Sequence, residues 1–235
     1  MRTISRQHPA SRLSHRGACR PSIFLRTLLR PVAVAVITLG PALATPAVAE
    51  GDMDERALED YRMQGLQAAM QTKGALGGEL MKAMEAGGPE NAVAFCNTRA
   101  LPITQEMSDR LGMDVTRVSD QPRNPDNAAQ GEELAIIASF KDALARGRQP
   151  APALREHAGT VVGYYPIVTN GMCLKCHGVE GVDISPATQA VIDERYPQDR
   201  ATGYGENELR GLFVVTMNRS PEGARTDGPG DGGNE

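Results

Sequence analysis

The chain has 235 residues, about the size of one large domain or two small ones, and holds no Trp and only 4% aromatic residues. That leaves it without the stacking platforms of single-strand nucleic-acid binders. The net charge of −4 hides an asymmetry: residues 1–49 hold seven Arg and no Asp, Glu or Lys, so the remainder sets 18 basic against 29 acidic residues, a balance of −11 that excludes binding to a phosphate backbone.

Residues 1–49 read as a cleaved signal peptide. An Arg-rich stretch ends at Arg30, an apolar run extends from Pro31 to about Thr45, and Ala47-Val48-Ala49 supplies the small-x-small pattern before the cut. Gly40 and Pro41 break that run, which is too short to span a bilayer comfortably. The expected outcome is export to the periplasm, with no stable membrane span after cleavage. Residues 50–218 then form a single domain. Residues 219–235, with five Gly, two Pro and no periodicity, read as a disordered tail.

Within that domain, residues 52–86 read as helix, with Met63, Leu66 and Met70 at helical spacing and Gly77-Gly78 as an interruption. Pro89 opens a second helix on which Ala92, Val93, Cys96 and Ala100 share an apolar face. Pro102 to Leu111 reads as a third, stopped by Gly112. Met113 to Ser119 alternates like a strand, with Arg117 and Val118 breaking step. Gln121 to Asn127 is dense in turn residues. An amphipathic helix follows, with Leu134, Ile137, Phe140 and Leu144 on its stripe. Thr160–Thr169 and Leu209–Met217 read as strands, and Ser185 caps a helix running from Pro186 to about Arg195. The plan is α+β, with N-terminal helices packed on a small antiparallel sheet.

Cys19 leaves with the leader, so Cys96, Cys173 and Cys176 remain. Cys173-Leu174-Lys175-Cys176-His177 is the C-x-x-C-H pattern of covalent haem attachment. Two sulfurs can add to the vinyl groups of one haem c, and the adjacent imidazole can take the iron. A thioredoxin-type pair wants an aromatic before the first cysteine, where this chain has Met172. A structural zinc site needs a second pair of ligands, for which only Cys96 and His157 remain. Cys96 itself has two readings, a small buried hydrophobe or a sulfur facing the iron. His157 and the nine methionines after the leader compete for that iron position. His157, in Arg155-Glu156-His157, reads as a solvated helix end.

These residues resemble a family, the bacterial c-type haem domain with a PAS-like fold and His/Cys haem ligation, typified by a cyanobacterial haem protein. The resemblance runs from about Asp54 to Asn218. It is carried by Ala94-Phe95-Cys96, Arg117-Val118-Ser119, Arg123-Asn124-Pro125-x-Asn127, Tyr165-Pro166-Ile167 and the haem motif with Gly178. Tyr196-Pro197-x-Asp199-x-Ala201-x-Gly203-Tyr204 and Leu209-Arg210-Gly211 complete it. The resemblance implies His177 as proximal iron ligand, Cys96 as distal ligand and a PAS-like sheet around the haem. It also implies that Arg123 and Asn124 belong to a loop near the cofactor, where they either touch haem propionates or shape the loop.

The function expected is one-electron redox chemistry by an exported single-haem protein. The alternative is a redox or small-gas sensor, binding CO or NO and signalling through a separate partner. No enzymatic activity is expected, since the sequence offers no distal acid or base beyond His157. A protein partner would dock through a basic patch on the acidic chain.

Overall fold

The computed structural model describes residues 53–219 apart from residue 158. The signal-peptide reading and nearly all of the tail lie outside the described residues.

Helix α1 (Glu55–Leu111) begins where the Asp54 carboxylate accepts the Ala57 N–H at 2.7 Å, and ends on Gly112, left-handed at φ 64°. It bends where Gly87 and Gly88 leave helical geometry, Gly88 at φ 69°, and resumes at Pro89. Two sequence expectations are corrected here. Gly77-Gly78 runs straight through the helix, and Pro102 sits inside it rather than opening a third. Ala68, Ala69 and Thr72 before the glycines and Ala83 after them are all buried, and Ala68 and Ala69 pack on the sheet. Likewise Ile103, Met107 and Ser108 carry the helix past Pro102. Tertiary packing overrides the local breaker.

Strand β1 (Asp114–Val118) follows, then a short 3₁₀ turn (Pro125–Asn127) and helix α2 (Glu132–Ala145). The α2 stripe is Ile136, Ile137 and Phe140; Leu134, expected inside, is 44% exposed. Strand β2 (Ala153–His157) was not foreseen, and His157 is a strand end rather than a helix end. Its charged Arg155-Glu156-His157 suits a sheet edge, where one side of the backbone meets solvent. A turn at Gly159, φ 78°, reverses the chain into β3 (Thr160–Val168). Helices α3 (Gly171–His177) and α4 (Pro186–Arg195) precede the last strand, β4 (Leu209–Asn218). As the sequence indicated, Ser185 caps α4, its hydroxyl accepting the Thr188 N–H.

The four strands form one antiparallel sheet in the order β1-β4-β3-β2. Central β4 is apolar along most of its length because both its faces are covered. On one face Val115, Tyr165, Phe213 and Val215 pack against Ala68 and Ala69 of α1. On the other, Tyr164, Leu212 and Val214 pack against Ile136, Ile137 and Phe140 of α2. The register Tyr165↔Phe213 and Tyr164↔Val214 puts alternate pairs on opposite faces. The fold is α+β. Among the described residues no helix is long and apolar enough to cross a membrane.

Candidate functional site

The short helix α3 carries the sequence motif. Asn170 starts it, its side-chain oxygen accepting the N–H groups of Met172 at 3.0 Å and Cys173 at 3.3 Å. Spacings of three and four residues set Cys173, Cys176 and His177 on one helical face. Gly178 closes the helix by close approach. A Cβ there would meet Asp183 Cβ at 2.5 Å and the Leu174 carbonyl at 2.7 Å.

That face lines a cavity of about 250 Å³. Leu80 and Met84, before the bend of α1, and Val93 and Cys96, after it, supply the opposing wall, while Ile167 comes from β3. The structure thus brings Cys96, Cys173, Cys176, His177 and Arg123 to one cavity. It leaves Asn124 and His157 outside. Asn124 shapes its loop instead, accepting the Asp126 N–H at 3.0 Å to cap the 3₁₀ turn. His157 stands on β2 with Nε2 3.8 Å from Glu132. Of the methionines, Met84 and Met172 reach the cavity.

Arg123 is buried beneath the motif. Its Nε and Nη2 donate to the Asp199 carboxylate at 3.2 and 3.0 Å, and Nη2 also reaches the carbonyls of Cys176 at 2.6 Å and Ala201 at 3.3 Å. Asp199 in turn accepts the Ala201 N–H at 2.9 Å. Segment 199–204 therefore clamps the end of α3, adding Gly203 N–H to the Gly178 carbonyl at 2.7 Å and Tyr204 N–H to the His177 carbonyl at 2.9 Å. Arg123 is a positioning residue, its Nε and Nη2 spent on protein atoms.

His177 Nδ1 lies 2.8 Å from the Ala201 carbonyl. Burial, then the charges of Arg210 and Arg123, hold the imidazole well below its usual pKa, so it is neutral. With Nδ1 carrying the proton toward the carbonyl, the Nε2 lone pair is left for a Lewis acid. The Tyr204 ring stands edge-on to the imidazole, 6.3 Å between centroids. Burial pushes the Cys176 thiol up to about 11, and burial also raises Cys96, opposed by Arg117 and Arg123. An un-ionised thiol in an apolar pocket is a poor redox nucleophile. Among the described residues no three His, Cys, Asp or Glu side chains cluster to hold a bare metal ion.

Arg117, Asp199, Tyr204 and Arg210 belong to this site without having been singled out for it from the sequence. The signals available were their places in the stretches that carry the family resemblance and, for Arg117, a charge breaking the alternation of its strand.

Fold and site together define an α+β domain that delivers two cysteines and a neutral histidine into an apolar, arginine-flanked cavity. The chain belongs to the Tll0287-like family, whose model matches residues 33–218. Among solved structures, that of the cyanobacterial heme-protein Tll0287 is similar, with 23% identity and a TM-score of 0.49, over 72% of this chain and 98% of that one. No curated protein sequence matches the chain.

Proposed function

We propose that the protein binds one haem c, held by thioethers from Cys173 and Cys176, with His177 as proximal and Cys96 as distal iron ligand. Attachment would add each S–H of Cys173 and Cys176 across one vinyl group, with no leaving group and no change of iron oxidation state. The supporting observation is the placement of His177, whose Nδ1 lies 2.8 Å from the Ala201 carbonyl while both motif cysteines share its cavity with Cys96 of α1. The residues present fit the group: the lining is apolar, and Arg117 and Arg210 each bury an Nε without a partner.

When bound, haem supplies a one-electron iron couple. This chain's residues set its conditions. His177 is fixed in tautomer and orientation by Ala201, and Cys96 offers a donating sulfur that favours the ferric state. Leu80, Val93 and Ile167 give the cavity apolar walls. The role we propose is electron transfer outside the cytoplasm, without catalytic turnover, to a partner that docks a basic patch on this acidic chain. The bend at Gly87-Gly88, nine residues before Cys96, supports a second reading. Release of Cys96 on reduction would then let α1 shift at that bend and admit CO or NO, signalling redox state or gas to a separate partner.

Intact mass of exported protein tests the attachment: one haem above the polypeptide starting at Glu50, with no haem extracted into acid-acetone. Ferric and reduced optical spectra of wild type and Cys96→Ser test the ligand. A thiolate-type low-spin ferric spectrum lost in Cys96→Ser, with a raised potential, is expected. Unchanged spectrum and potential in that variant would return the distal position to Met84 or Met172. Retention of the sulfur on reduction favours electron transfer, and its loss favours sensing.

A further inference from the structure

Three guanidinium groups border the cavity, and they are not equivalent. Arg123 is matched by Asp199 at 3.0 Å, both side chains 10% exposed. Arg117 on β1 makes no hydrogen bond or ion pair among the described residues, and its buried Nε has no partner. Arg210, at the second residue of β4, gives Nη1 to Ser119 Oγ at 2.8 Å and the Gln121 carbonyl at 3.1 Å, and lies 5.5 Å from the Tyr204 ring. It too forms no ion pair among the described residues, and its buried Nε is also orphaned. Burying a guanidinium without a counter-charge is among the costlier things a fold can do. Two half-buried guanidinium groups at the border of one apolar cavity, neither ion-paired among the described residues and Arg210 only under the longer-range pull of Asp199, are explained by a ligand that brings two negative charges on an apolar body.

We infer that Arg117 and Arg210 are the residues that bind the two carboxylates of the haem, and that Arg123 and Asn124 are not. The inference rests on the haem-binding reading above and assigns its anionic end. It follows from which guanidinium already holds a carboxylate. Arg123 Nε and Nη2 are taken by Asp199 and two carbonyls, and Asn124 caps a turn outside the cavity. Arg117 and Arg210 line the cavity with no carboxylate paired to either among the described residues, and an acidic ligand there would supply the missing charge. Each guanidinium also places a positive charge beside the iron couple, which disfavours the ferric state and raises the potential.

The test uses the haem-loaded full chain. Arg117→Met and Arg210→Met should each shift the ferric/ferrous equilibrium toward ferric by about tenfold, a drop of about 59 mV for one electron. Arg117→Lys and Arg210→Lys, which keep the charge, should recover most of it. Loaded protein whose potential is the same in all four variants would overturn the assignment while leaving haem binding intact. A wild type without haem would overturn both. Phosphate or chloride that moves the wild-type potential as far as the Met variants do would show that the arginines hold a free anion instead.

A second measurement needs no covalent loading. Full-length Cys173→Ala/Cys176→Ala chain should bind ferric protoporphyrin at least tenfold more tightly than its dimethyl ester. Adding Arg117→Met and Arg210→Met should erase that preference. Equal affinity for acid and ester in the presence of both arginines would overturn the inference.

Discussion

Asp199→Asn separates the clamp from the ligand set, because Asp199 touches neither a cysteine nor His177. The substitution keeps shape and removes one charge. Asp199 accepts from Arg123 Nε, Arg123 Nη2 and the Ala201 N–H, at 3.2, 3.0 and 2.9 Å. An amide in its place turns one of these acceptors into a donor facing a donor, and leaves a guanidinium 10% exposed without its counter-charge. Removing one partner of a buried pair costs about 3–5 kcal/mol. In a domain of this size that is a fall in Tm of about 6–20 °C. The damage should also reach the site. Arg123 holds the Cys176 and Ala201 carbonyls, and the Ala201 carbonyl orients His177. Urea denaturation gives the stability, and mass spectrometry gives the haem carried per chain under the attachment proposed above. Both should fall in Asp199→Asn. Arg123→Met should cost a similar amount, and the double variant less than the two singles together, since both delete one pair. Asp199→Asn within about 1 kcal/mol of wild type, at full haem content, would refute the clamp.

Three further outcomes follow from other parts of the fold. Tyr165 donates to the Arg62 carbonyl at 3.2 Å, and Tyr165→Phe should lose about 0.5–1.5 kcal/mol at neutral pH in urea denaturation. Burial pushes its phenol up to about 12, while an unfolded phenol ionises near 10, so its contribution is complete below pH 10 and is lost as pH rises through 12; Tyr165→Phe should flatten that decline. Gly211→Ala would place a Cβ 2.3 Å from the Val118 carbonyl, in the backbone of β1, and should cost about 1–3 kcal/mol, whereas Gly74→Ala, in open space on α1, should gain about 0.5–1 kcal/mol. Thr188→Val removes a 2.6 Å bond to Glu90, the first carboxylate after the bend of α1, and should cost about 1.5–3 kcal/mol by the same assay.

Most of the elements were legible because their signals are local. Alternation marks β1, runs rich in β-branched and apolar residues mark β3 and β4, and Ser185-Pro186 marks the start of α4. The failures have a common cause. Gly77-Gly78 and Pro102 are local breakers inside a helix that the sheet holds from outside, and nothing in a linear pattern reports that support. β2 was hidden because an edge strand with charged residues does not alternate in hydropathy. The site divides the same way. Cys173, Cys176 and His177 are a contiguous motif, readable at sight. Cys96 needs the bend at Gly87-Gly88 to bring α1 across the cavity, and the bend is visible only as two glycines before a proline.

The arginines show why a family pattern alone could not apportion roles. Arg117, Arg123 and Arg210 all fall within stretches that resemble the haem-domain family, and each is a basic residue that could meet an acid group. What distinguishes them is the location of the nearest carboxylate. Arg123 finds Asp199, seventy-six residues later, because segment 199–204 folds back beneath α3. The chain thereby spends the Asp199 carboxylate on fixing the motif and leaves two cations at the cavity. A carboxylate placed near Arg117 instead would have satisfied that guanidinium within the protein and removed the reason for it to recognise an acidic ligand. The distribution of a single negative charge thus decides which arginine is scaffold and which are receptor.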